Sequence, residues 1–140
     1  MASIVPALSL LSLFASTAVS AADLDVAVSG VRNDKGVVHV DVCTPETFLK
    51  DCAWHGEAPA RQGTTIVTIR NLPPGHYAAQ GFHDENRNGK ADQGFLGIPK
   101  EGVGFSNDAP IRLAPPRLKD ALFDYTGAAT PRITFKLRYF

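Results

Sequence analysis

The chain is poor in several things, and each shortage removes an option. It has two Cys, one Met and one Trp in 140 residues, too few thiols for a cysteine-rich scaffold. Neither sign of charge is in excess, with fourteen Lys and Arg against fourteen Asp and Glu. A nucleic-acid binder or a polybasic membrane-surface protein would carry a basic surplus, so neither is expected. No stretch has the 3.6-residue period of a long amphipathic helix, and no internal repeat, linker or charge block marks a second domain. What the chain does have is twelve Gly and ten Pro, the content of many turns, in a length that suits one domain.

The first segment stands apart. Met1 to Ala22 has no charged side chain, and Ala7 to Ala18 is apolar apart from Ser and Thr. The run is short and Ser-rich for a membrane span. Small residues end it at Ala18-Val19-Ser20-Ala21-Ala22, the pattern of a secretory signal cleaved after about residue 21, although no Lys or Arg precedes the run. The expectation is a signal over 1–21 and a domain over 22–140, periplasmic or secreted, with no transmembrane segment after cleavage. Export makes Cys43 and Cys52 interpretable as a disulfide, closing a loop for which the chain-entropy model gives about 2.5 kcal/mol. A zinc site would need more ligands than nearby His55 offers, and the Cys-x-x-Cys spacing of a redox pair is absent.

Alternation dominates the rest. Leu24, Val26 and Val28 alternate with Asp25, Ala27 and Ser29, and Val38, Val40 and Val42 with His39 and Asp41. Each reads as a half-buried strand, with Arg32 to Gly36 as the hairpin loop between them. Thr44-Pro45-Glu46 opens a short helical turn to about Lys50, and Asp51 to Gln62 reads as loop. Further strands are expected over 64–70, 76–83, 118–125 and 133–139, with Pro-Pro-Gly at 73–75 and Pro115-Pro116 as breaks. About seven short strands with such turns predict an all-β fold, a single antiparallel β-sandwich, with a closed barrel as the competing architecture.

From His83 to Asn107 the alternation stops. A Gly-rich connection of this length in a compact domain is functional more often than most. Asp84, Asn86, Asn88, the Lys90 carbonyl and Asp92 fall at alternate positions around Gly89, which is calcium-loop spacing. The carboxylate expected at the twelfth position is Phe95 instead, so Glu101 or Asp108 would have to fold back, and the site would be weak. The same residues also suit an Asx-rich turn bonded to its own backbone, with no ion.

The stretch Leu72-Pro73-Pro74-Gly75-His76-Tyr77-Ala78, then His83-Asp84-Glu85-Asn86, Asn88-Gly89-Lys90 and Asp92, then Phe95 to Gly102 and Gly104-Phe105-Ser106-Asn107, resembles the bacterial family named domain of unknown function 2141. The Pro-Pro-Gly-x-Tyr turn is also similar to that of transthyretin-like and carboxypeptidase-regulatory β-sandwich modules. The resemblance implies a small exported, periplasmic protein and assigns no activity.

Two classes of function follow. The first is a binding or structural envelope module that uses the 83–107 loop. His83, Phe95, Lys100, Glu101, Phe105 and Asn107, helped by Tyr77 and Trp54, would face a saccharide, peptide or small ligand, and the protein would act as a monomer. The bland counterpart is that both Phe residues plug the end of the sandwich. The second class is a small-molecule hydrolase with His83 and Glu101 as acid and base, which requires Glu101 to be buried within reach of His83. Ser106 lacks the sequence of a nucleophile elbow. No catalytic residue is assigned, and calcium is the one cofactor considered.

Overall fold

A computed structural model describes residues 2–3, 12–14, 21–128 and 131–140. Most of the segment expected to be a signal lies outside the described residues. Among the described residues no helix is long and apolar enough to cross a membrane.

The alternating stretches become strands. They are β1 (Ala22–Val31), β2 (Val37–Cys43), β3 (Trp54–Pro59), β4 (Gly63–Leu72), β5 (Gly75–Asp84), β6 (Val103–Phe105), β7 (Leu122–Tyr125) and β8 (Arg132–Lys136). A single helical turn, α1 (Leu118–Ala121), precedes β7. One sheet has the order β4-β1-β8 and the other β3-β2-β5-β6, with β7 also paired to β5. Leu24, Val26, Val28, Val38, Val40, Val42, Val67 and Ile69 are fully buried between the sheets. Each contributes roughly 1.5–3 kcal/mol over an exposed position. Phe135 on β8 lies over a floor of two paired glycines, Gly81 and Gly104. A Cβ at either would sit 2.8 Å from its ring, so the aromatic ring occupies the space that side chains there would need.

The structure is the expected all-β sandwich with several differences, one being that Val103–Phe105, expected within the loop, is a strand paired to β5. β8 runs parallel to β1, from Asp25 opposite Arg132 to Ser29 opposite Lys136, so the sandwich is not wholly antiparallel. Trp54–Pro59, expected as loop, is a strand paired along β2. Residues 118–121, expected as strand, form α1, whereas 44–50 is a hydrogen-bonded turn, with the Phe48 amide donating to the Thr44 carbonyl at 3.1 Å. Reciprocal hydrogen bonds between Val103 and Arg138, 2.9 and 2.8 Å, stitch the sheets at one margin, but the strands do not close into a barrel.

Cys43 and Cys52 form a disulfide with Cα atoms 4.9 Å apart, anchoring the 44–50 turn to the end of β2. That turn contributes Phe48 to a second, smaller core on the outer face of the second sheet. Ala78, Ala109 and Ala121 are buried there with Phe48, Phe105 and Leu118 packed around them.

Candidate functional site

The 84–101 loop is braced by three carboxylates. Asp84, at the end of β5, accepts from the backbone amides of Asn88 and Gly89 at 3.1 and 2.8 Å. Asp92 accepts from the side-chain amides of Asn86 and Asn88, both at 2.6 Å. Glu101 folds back and accepts from the backbone amides of Glu85 at 2.7 Å and Asp92 at 3.1 Å. All six carboxylate oxygens therefore take a donor from within the loop, and Asp84 and Glu101 are buried. Burial pushes the Glu101 carboxyl up from its ordinary range, with Asp92 and Asp84 adding to the effect, while its two backbone hydrogen bonds pull the other way. Among the described residues no three His, Cys, Asp or Glu side chains form a ready-made metal shell.

Beyond this base the chain carries a tip. The Gly94 amide donates to the Ile98 carbonyl at 2.7 Å and the Lys100 amide to the Asp92 carbonyl at 2.8 Å, closing a narrow turn. At its apex Leu96 is 83% exposed and Ile98 48% exposed. Leu96 has φ of 60°, a left-handed conformation that is costly for a residue other than glycine. The side chain of Phe95 lies outside the described residues. Lys100 is exposed beside the tip.

The other expected contact residues have structural partners. His83 is fully buried. Its Nε2 lies 2.6 Å from the Lys35 carbonyl and must donate to it, and its Nδ1 shares a hydrogen bond of 3.0 Å with the Tyr139 hydroxyl. Tyr139 in turn accepts from the Arg32 amide at 3.1 Å. Neither ring nitrogen of His83 is left for a substrate, and Glu101 is held by other partners. Phe105 packs edge-on against Phe48 at 6.0 Å. Tyr77 is buried, its hydroxyl donating to the Pro73 carbonyl at 2.6 Å, and Trp54 packs against it at 5.6 Å. Asn107 donates its side-chain amide to the Leu122 carbonyl at 2.7 Å. Of the aromatic platform expected from the sequence, Tyr77 is therefore internal, and Trp54 and Phe105 are half-buried against the two cores. Nothing in the sequence marks Leu96 and Ile98, because an aliphatic residue in a Gly-rich stretch gives no sign of which way it faces. An open groove of about 500 Å³ bordered by Asn107, Pro110, Arg112, Pro116 and Arg117 also escapes sequence reasoning, apart from its prolines.

Next to the loop base, Arg32 pairs with Glu85 and lies over the Tyr139 ring at 4.6 Å, and Asn33 donates to Glu85 at 3.1 Å. Burial alone would push the Glu85 carboxyl up; contacts with Asn33 and Arg32 outweigh it and hold the group below its usual range. A depressed folded pKa stabilises the fold above the unfolded value, roughly 4.3, and the contribution disappears as pH falls through the folded value. Glu85→Gln is therefore expected to shrink the loss of thermal stability between about pH 5 and pH 3. A variant whose Tm falls over that interval as steeply as wild type would show that Glu85 has no such role.

A family model described as "Uncharacterized protein conserved in bacteria (DUF2141)" matches residues 26–132, well over half of the chain. No curated protein and no solved structure matches.

Proposed function

The chain belongs to the DUF2141 family, and from that premise we propose that it is an exported binding module that meets an apolar peptide surface with the tip of its 83–107 loop. The observation that carries this reading is the pairing of a cross-braced base with an aliphatic tip. Leu49 and Leu113 are also exposed at left-handed φ, so it is the braced base below Leu96 and Ile98 that distinguishes the tip, because a preorganised apolar anchor loses little entropy on binding. The packing of Tyr77, Trp54 and Phe105 against the two cores leaves the aliphatic tip as the better-exposed apolar surface and favours a peptide over a saccharide. The Cys43–Cys52 disulfide favours an oxidising compartment.

A photo-crosslinking residue at position 96, expressed in bacterial cells, is expected to give a discrete adduct. The same residue at exposed Arg70, on β4, should give none, and Ile98→Asp should remove the adduct at 96. No adduct at 96, or an equal one at 70, would sink the proposal.

A second reading, weak calcium binding by Asp84, Asn86, Asn88, the Lys90 carbonyl and Asp92, is favoured by one observation. Glu101 folds back onto the loop and supplies the third carboxylate that the linear spacing lacks. Each carboxylate oxygen retains a second lone pair after its internal hydrogen bond. Millimolar calcium should then raise the Tm and a chelator return it to the starting value; an unmoved Tm means that the loop is a turn and no more.

A further inference from the structure

On the solvent face of the second sheet, away from the loop, β2 carries His39 and Asp41 and β3 carries His55 and Glu57. Residues two apart on a strand point to the same face. The antiparallel register places His39 opposite Glu57 and Asp41 opposite His55, and directly opposed residues have Cβ atoms about 4.5–5.5 Å apart. The four side chains thus form a square, with imidazoles on one diagonal and carboxylates on the other. We propose that this square is a binding site for a divalent transition cation of the zinc or copper(II) class.

Three observations support it. First, the two imidazole rings lie side by side, 6.0 Å apart between centroids, close to the roughly 5 Å between the centres of two imidazoles that share one zinc at Zn–N of about 2.0 Å. The rings are stacked, so at least one must turn about its side-chain torsions to bring a nitrogen of each onto a common ion. Second, the square is short of positive charge. His39 Nε2 lies 2.9 Å from Asp41 and Nδ1 3.0 Å from Glu57. A neutral imidazole has one N–H for those two acceptors. Among the described residues His39 is the one ion-pair partner of either carboxylate. Gln80 also reaches Asp41, at 3.5 Å, but it brings no charge; a second proton on His39 or a metal would supply it. Third, the donor set fits. Imidazole and carboxylate together suit zinc, copper and nickel, and ligand imidazoles are ordinarily oriented by a carboxylate on their other nitrogen. His39 gives one of its two carboxylate contacts to the metal and keeps the other. The ring now lies across the square, which is why the four groups do not stand as a finished shell.

The other two histidines are differently placed. His83 is buried and tied to Lys35 and Tyr139. His76 pairs with Asp124 across β5 and β7, with no second imidazole beside it.

Zinc titrated calorimetrically into the untagged, disulfide-bonded protein at pH 7.5 tests the site. The expected result is one zinc per chain, with His39→Gln and His55→Gln each weakening affinity at least tenfold and Glu57→Gln several-fold, while His76→Gln leaves it unchanged. The exposed His55 side chain makes no hydrogen bond among the described residues, so its replacement tests the metal without threatening the fold. Copper(II) should bind more tightly than zinc. The site is refuted by an absence of saturable binding up to about 1 mM zinc, by a His55→Gln protein that titrates like wild type, or by a His76→Gln protein that loses affinity as much as His55→Gln does.

Discussion

Gly36→Ala is expected to leave the protein largely unfolded at 37 °C. Gly36 enters β2 with φ of +69°, and a Cβ there would lie 1.9 Å from the Asp84 carbonyl oxygen and 2.8 Å from the Glu85 Cα. The left-handed conformation alone costs an alanine about 1 kcal/mol. The overlap is the larger effect, because backbone atoms must move where a flexible side chain could have swung aside. Those atoms belong to the pair Val37 and Asp84, where β2 meets the end of β5, so relief means separating the two strands at the base of the loop. We expect a loss of more than about 3 kcal/mol, toward the large end of single-substitution effects, read as a fall in the urea midpoint. A midpoint within error of wild type would mean that the strands are spaced more widely here than described.

Glu101→Ala is expected to cost about 2 kcal/mol, because it leaves two half-buried backbone donors, Glu85 and Asp92, without their acceptor, each toward the low end of the roughly 1–3 kcal/mol of a buried one. Glu101→Gln keeps one oxygen acceptor and removes a charge that burial and the neighbouring Asp84 and Asp92 disfavour, so it should cost less, about 1 kcal/mol. The two variants separate bracing from surface contact. If Glu101 braces the loop, Glu101→Ala should also open the 84–101 backbone to protease, with cleavage near Lys90 or Lys100, while Glu101→Gln stays resistant. Equal resistance and equal stability in both would show that the carboxylate carries no load. The crosslink from position 96 should weaken with Glu101→Ala, since a tip on an unbraced base is no longer preorganised.

Most of the sandwich can be read directly from the chain, and the exceptions have physical causes. β1, β2, β4, β5 and β8 announce themselves through aliphatic residues at every second position, because a strand with one face in a core has little other choice. β3 does not, since its inward residues are Trp54, Gly56 and Ala58, two of them small, and a Pro ends it. It is a strand because β2 offers an unpaired edge, information held outside its own six residues. Residues 118–125 alternate well enough to read as one strand, yet Ala121 is needed against Ala78 and Ala109 in the second core, and one helical turn puts it there. Of the loop, its irregularity, the Asp-Asn-Asn-Gly spacing and the need for Glu101 to fold back were all legible. Which residues face outward was not. His83, Tyr77, Trp54 and Phe105 have the chemistry of a binding surface and are used in packing, while the outward residues are two ordinary aliphatics. The His39 and His55 square was hidden for the same reason as β3, because it exists only in the register between two strands.

The parallel seam between β1 and β8 has a consequence for the order of events at synthesis. The first strand of the domain cannot complete its pairing until the last strand has been made, because Asp25 waits for Arg132 and the floor formed by Gly81 and Gly104 waits for Phe135. Long-range closures of this kind slow folding. Until residues 132–136 are available, β1 has an open edge and the core lacks its largest fully buried side chain. The chain therefore stays pliable through most of its own elongation, and a product cut short before Arg132 should be taken by proteases as an unfolded polypeptide.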